Sequence, residues 1–143
     1  MIARPAEPRD SEAVLALLAG LGRPEVAEDS SGQGDVLRAY LDDPDAAVFV
    51  AEVDGTVAGV VSLSFRPRLN WTTLEAWIPD LYVDPAFRRR GAARALLDVC
   101  AQVALERGCH RLTLESGHQR AEAHQLYEKV GFTNAGRFYY LAL

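Results

Sequence analysis

Leu81-Tyr82-Val83-Asp84-Pro85-Ala86-Phe87-Arg88-Arg89-Arg90-Gly91-Ala92-Ala93 is the stretch on which the reading of this chain turns. An apolar run meets a turn at Asp84-Pro85, then three arginines, then a glycine and two alanines. Those alanines open the best helix in the sequence, Arg90 to Arg107. Its stripe is Ala92, Ala93, Leu96, Leu97, Cys100, Val103 and Ala104; Arg94 and Asp98 pair on the other face, and Gly108 ends it. A helix start exposes unpaired N–H groups and a partial positive charge. Gly91 lets main chain come close to a ligand, and Ala92 and Ala93 leave that approach clear, so an anion site of the pyrophosphate-holding kind is expected. Arg88, Arg89, Arg90 and Arg94 are four of 15 basic residues and stand where the helix dipole disfavours them. A bound polyanion would account for them; a solvated charge run is the bland alternative. Neither GxxxxGK[ST] nor GxGxxG occurs, which weakens P-loop and dinucleotide readings.

Upstream, Thr72 to Val83 reads as a strand in which Pro79 marks a bulge or an edge. Ala46 to Val53 and Thr56 to Ser64 are two further strands, joined as a hairpin by Asp54-Gly55. Ile2-Ala3-Arg4 is a short first strand. Asp10 or Ser11 caps a helix carrying Val14, Leu17, Leu18 and Leu21, which Gly20 and Gly22 close. Residues 23–34 read as a mobile loop, and Asp35 to Leu41 as a short helix stopping before Asp43-Pro44. Downstream come a strand from Arg111 to Glu115, a helix from Ala121 to Val130 ended by Gly131, and a last strand from Phe138 to Leu143. The order β-α-α-β-β-β-α-β-α-β predicts one mixed α/β domain over residues 1–143, without repeats or linkers.

Composition narrows the function classes. The 143 residues are 49% hydrophobic, enough for one core, and their net charge of −5 argues against a nucleic-acid-binding module. No apolar run approaches the roughly 20 residues a membrane span needs, and MIARPAEPRD has no apolar core of a signal peptide. Cys100 and Cys109 read as reduced, buried residues, and no histidine pair has metal-ligand spacing, so no metal is expected. A cytoplasmic protein is the default.

Two motifs carry a resemblance. Arg88-x-x-Gly91-x-Ala93 follows Leu81, Val83 and Pro85, and Ala123-x-x-Leu126-Tyr127-x-x-x-Gly131-Phe132 lies about 35 residues on. Together with the element order they resemble the GNAT superfamily of acyl-CoA-dependent N-acetyltransferases over nearly the whole chain. The resemblance implies a mostly antiparallel sheet whose central strands splay, with the pantetheine arm of acetyl-CoA in the gap. It assigns Leu81 and Val83 to that arm through main-chain groups, and Arg88, Arg89, Arg90, Gly91, Ala92 and Ala93 to the pyrophosphate. The Val83 N–H becomes the expected oxyanion donor, and Tyr127 the acid that protonates the departing thiolate.

The base is less fixed. Where family members carry a glutamate, Trp77 and Pro79 stand. Asp80 precedes Leu81, and alternation points it away unless the bulge re-aims it; Glu75 shares the parity of Leu81 and would act through water; a third reading has no dedicated base. The implied reaction is acetyl transfer to a primary amine of a small molecule. A protein or peptide amine acceptor and an inactive CoA-binding sensor are the alternatives. Residues 24–54, with nine acids and only Arg38 as base, would attract a cationic amine. Arg66 and Arg68 would meet a carboxylate or phosphonate, and Trp71 and Trp77 would supply an aromatic wall or close the core. Arg120-x-x-Ala123-His124-x-x-Tyr127 with Asn70-Trp71 resembles the aminoalkylphosphonate N-acetyltransferases, and Arg120 replaces an asparagine that helps bind CoA in the wider family. The apolar end, Phe138 to Leu143, suits a homodimer.

Overall fold

Asp54 and Gly55 both take positive φ, +50° and +78°, the geometry that turns one strand tightly back on another. They join β2 (Ala46–Val53) to β3 (Thr56–Arg66), the central antiparallel pair. The structure is a computed structural model that describes residues 1–21, 30–116 and 120–143. Around the hairpin lie β1 (Ile2–Pro5), α1 (Ser11–Gly20), α2 (Ser30–Asp42), β4 (Glu75–Ile78), β5 (Leu81–Val83), α3 (Ala92–Glu106), β6 (Arg111–Leu114) and α4 (Ala121–Val130). Short 3-10 turns occupy Pro8–Asp10 and Pro85–Phe87. The sheet runs β1-β2-β3-β4-β6, with β5 on β3 as well; among the described residues only β4 and β6 are parallel.

Alternation sorts the strands into two faces. Phe49, Ala51, Val61, Leu63, Phe65, Ala76, Ile78 and Val83 bury one face against α3 and Tyr127 of α4. Val48, Val50 and Val60 bury the other against Val14 and Leu17 of α1 and Leu37 of α2. Arg4 holds the entry to α1 by two hydrogen bonds to Asp10, at 2.8 and 2.9 Å. Asp10 therefore makes no side-chain cap on α1 and instead accepts from the Glu7 amide at 2.8 Å.

Four expectations need correction. The strand foreseen from Thr72 to Val83 is two strands, β4 and β5, separated at Pro79-Asp80. The short helix begins at Ser30 rather than Asp35, so it takes in the end of the foreseen loop; residues 23–29 of that loop lie outside the described residues. The long helix starts at Ala92, because Arg89 and Gly91 both have positive φ and hold Arg88–Gly91 as a turn. Phe138 to Leu143 forms no strand: Phe138 is 58% exposed and Tyr139, Tyr140 and Leu141 about as much or more, on no hydrogen-bonded edge. Six hydrophobic residues in six positions give such a run no polar face to alternate with. Among the described residues no helix is long and apolar enough to cross a membrane.

Candidate active site

The break between β4 and β5 is a one-residue bulge. Ser64 faces Trp77 and Arg66 faces Glu75, whereas Val61 faces Leu81 and Gly59 faces Val83, so an extra residue is inserted at Pro79. Pro79 has no N–H for the ladder. The Asp80 amide donates to Ser62 Oγ at 3.1 Å instead of to a carbonyl, while Ser62 N donates to Asp80 O at 2.9 Å.

Two consequences follow. The first concerns phase: after the bulge every side chain changes face. Leu81 and Val83 join the α3 face with Ala76 and Ile78, and Glu75 and Trp77 stay on the opposite one. Glu75 therefore does not share the face of Leu81, contrary to what unbroken alternation suggests. The second concerns hydrogen bonds. Ser62 N to Asp80 O and Asp84 N to Ala58 O (2.8 Å) fix residues 80, 82 and 84 as those whose main chain points at β3. Leu81 and Val83 turn their amides the other way. On that side β6 pairs with β4 only as far as Ile78 opposite Leu114, so among the described residues no strand receives them. The strands diverge there, and Val83 O accepts from Arg88 Nε at 3.3 Å.

A cleft of about 180 Å3 opens at this divergence, lined by Ile78, Pro79, Asp80, Leu81, Leu114 and Tyr127 among others. Beyond β5, the Arg88 amide reaches Pro85 O at 3.4 Å and the Ala95 amide reaches Gly91 O at 2.9 Å. Among the described residues the amides of Arg89 to Arg94 between them have no main-chain acceptor. Gly91 stands there for its φ of +82°, which other residues rarely adopt; a Cβ would meet only Met1 Cε at 3.6 Å. Arg88, Arg89 and Arg90 are exposed; Arg89 contacts Glu122 at 3.5 Å, and the Arg88 and Arg90 guanidiniums lie over Tyr82 and Phe87. Turn, glycine and arginines thus lie together as expected.

Tyr127 is 8% exposed and lines the cleft. Gly131, at φ +113°, ends α4 so that the Gly131 and Phe132 amides both donate to Tyr127 O, at 3.1 and 2.9 Å. Phe132 then meets the Tyr127 ring edge-on at 6.0 Å. Burial raises the phenol pKa above its ordinary 10, against a lowering pull from Arg120 and the Ser116 hydroxyl. The group is a phenol, not a phenolate, at neutral pH.

The two base candidates part company. Asp80 lines the cleft, and its Oδ2 lies 3.3 Å from the Ser62 hydroxyl. Glu75 is fully buried and bonded by Arg111 at 2.7 Å, Arg66 at 2.9 Å and Arg68 at 3.5 Å. Burial pushes its pKa up, but the Arg111 and Arg66 hydrogen bonds outweigh that and hold it below the usual value. A carboxylate so satisfied accepts a further proton poorly. Sequence reasoning missed Ser62, because a serine in the run Val60–Ser64 looks like an ordinary alternating position. Cys100 is buried with its thiol pushed up to about 12, which removes it as a nucleophile. His118 lies outside the described residues; His110 stacks on Trp71 at 4.0 Å, away from the cleft.

Comparison with known proteins agrees with this architecture. Residues 15–132 match the model of the acetyltransferase (GNAT) family. The chain is 30% identical over 108 residues to N-acetyltransferase 8 of Homo sapiens, covering 74% of this chain and 47% of that one. It is 33% identical over 113 residues to streptothricin acetyltransferase of Streptomyces lavendulae, covering 78% of this chain and 58% of that one. It thus spans about half the length of these two relatives. An aminoglycoside N-acetyltransferase solved in complex with CoA superimposes with a TM-score of 0.85 at 19% identity, over 99% of this chain and 93% of that one, a likeness of fold. The matched span contains both motifs and the whole cleft, and the chain belongs to the acetyltransferase (GNAT) family.

Proposed function

We propose that the protein transfers the acetyl group of acetyl-CoA to a primary amine of a small molecule by direct attack. The observation that carries this reading is the run of main-chain donors without a main-chain acceptor among the described residues: Leu81 and Val83 at the open side of β5, and Arg89 to Arg94 at the start of α3. The pantetheine arm and the thioester carbonyl present acceptors for the first set, and a pyrophosphate suits the second, with Arg88, Arg89 and Arg90 adding charge. Leu81, Val83, Arg88, Arg89, Arg90, Gly91, Ala92 and Ala93, with Tyr127 at the sulfur, are thus the cofactor-binding set.

The remaining groups fit the chemistry. The amine nitrogen attacks the thioester carbonyl carbon, and the Val83 N–H stabilises the oxyanion. The C–S bond then breaks; Tyr127 gives its proton to the leaving thiolate, and the surplus amine proton passes to Asp80 directly or through water. Ser62 holds Asp80 in place. Asp80 is the base in this reading rather than Glu75, whose carboxylate is committed to arginines. Streptothricin acetyltransferase among the relatives supports a small-molecule acceptor. The exposed run Phe138–Leu143 supports pairing of two copies.

Release of free thiol from acetyl-CoA across a panel of primary amines tests the proposal. Amine-dependent turnover that falls in both Tyr127→Phe and Asp80→Asn is expected. Tight acetyl-CoA binding with no turnover on any amine would contradict it.

A further inference from the structure

The face of β4 opposite the α3 side carries a charge arrangement to which the acetyl-transfer reading gives no role. Arg66, Glu75 and Arg111 stand opposite one another in one row across β3, β4 and β6, and Ser64, Trp77 and Thr113 in the next. Arg68 adds a third guanidinium to Glu75. One carboxylate thus faces three guanidiniums, each 39–46% exposed, and among the described residues no other acid pairs with them. Two positive charges remain in excess in a chain whose net charge is −5.

The arrangement also has direction. The Arg66 guanidinium lies over the Trp77 ring at 4.4 Å, on the side of Glu75 toward the cleft. The buried Trp77 Nε1 has no acceptor among the described residues, a second donor left unanswered on this face. Asp80, beside Ser62 and in the cleft, supplies a negative end. From Trp77 to Asp80 is three residues, roughly 10 Å of strand at ~3.3 Å each. Helix α1 packs on β3 and β5 and α2 on β2, and the Arg66, Arg68 and Arg111 side chains keep part of their surface in solvent while Glu75 beneath them is buried.

We infer that this face seats an acetyl acceptor that is itself zwitterionic. Its ammonium lies at Asp80 and an anionic group, carboxylate or phosphoryl, lies at Arg66, Arg68 and Arg111, several bonds away. The inference rests on the acetyl-transfer reading and names its acceptor class. Glu75 fixes the guanidiniums in one row by tying up a single charge. The remaining excess makes the row an anion seat rather than a neutral strand clasp.

The test measures kcat/KM for matched primary amines of equal chain length ending in carboxylate, phosphonate, hydroxyl or a second amine. For the wild type at least one anionic member should exceed its hydroxyl counterpart at least tenfold, and Arg66→Gln should bring that ratio close to one by raising KM. Whether the carboxylate or the phosphonate series gains more identifies the anion. A wild-type ratio near one, or an unchanged ratio in Arg66→Gln, overturns the inference. A second readout needs no turnover: titration of Trp fluorescence with propylphosphonate and with butyrate. Saturation in the wild type that is lost in Arg66→Gln and in Arg111→Gln supports the seat even if no amine is acetylated, the outcome that would sink the enzymatic reading alone. No saturable change with either anion, together with no anionic preference, overturns the seat.

Discussion

β4 and β5 are two halves of one interrupted strand with opposite fates. β4 is paired on both sides, by β3 and by β6, and the buried Glu75 ties its end to three arginines. Among the described residues β5 is paired on one side only and leaves the amides of Leu81 and Val83 facing a gap. The sequence difference between them is one proline and the residue it inserts. The closed half gives the sheet its rigidity, and the open half, a few residues away, gives it main-chain donors that a ligand can use. A sheet edge usually has to be protected from other strands; here an internal edge is held apart, at the point where the longest helix begins.

Changes on the open half should have the largest effects. Gly91→Val forces a β-branched residue to φ +82° and tilts the free amides. Acetyl-CoA affinity measured by calorimetry should fall at least about 100-fold, with the far-ultraviolet circular dichroism unchanged; retained affinity would remove the amide cradle. Tyr127→Phe should lower kcat by about 10- to 100-fold while acetyl-CoA affinity stays within about twofold. Its pKa is raised by burial, so the acid form is present throughout the range below 10. The loss should therefore be constant from pH 6 to 9. A loss that grows within that range would assign the titration to another group.

Asp80→Asn should cost about tenfold or more in kcat/KM near pH 7, and less as the pH approaches the pKa of the acceptor amine, where the amine is already neutral. A deficit independent of pH would make Asp80 a positioning residue. On the closed half the effect is on stability. Glu75 has a folded pKa below its ordinary value, so it contributes stability above the unfolded pKa that is lost as pH falls through the folded one. Glu75→Gln should lower unfolding free energy by about 2 kcal/mol at pH 7, a figure discounted for the half-exposed arginines, and the gap should close at an acidic pH that protonates Glu75. Denaturant titration at both pH values checks this.

Much of the fold was legible in the residues. β2 and α4 have the foreseen ends because strand-forming runs and helical spacing stop at unmistakable punctuation, Asp54-Gly55 and Gly131. Pro79 announced an irregularity, but not its phase. Whether a proline bends a strand, ends it or inserts one residue depends on what the partner strand offers, here the Ser62 hydroxyl. That unknown put Glu75 on the wrong face. Phe138 to Leu143 has strand-like composition, yet pairing needs an edge in reach, which composition does not report. The cleft itself was legible through its motifs: glycine for a positive φ at Gly91, and Gly131-Phe132 to seat Tyr127.

Amide hydrogen exchange, followed residue by residue with and without CoA, tests the central claim most directly. Leu81, Val83 and Arg89 to Arg94 should become protected when CoA is added, while the Arg66–Glu75–Arg111 row stays as it was. Binding of CoA with exchange unchanged over 81–94, or protection confined to the β4 side, would contradict the account.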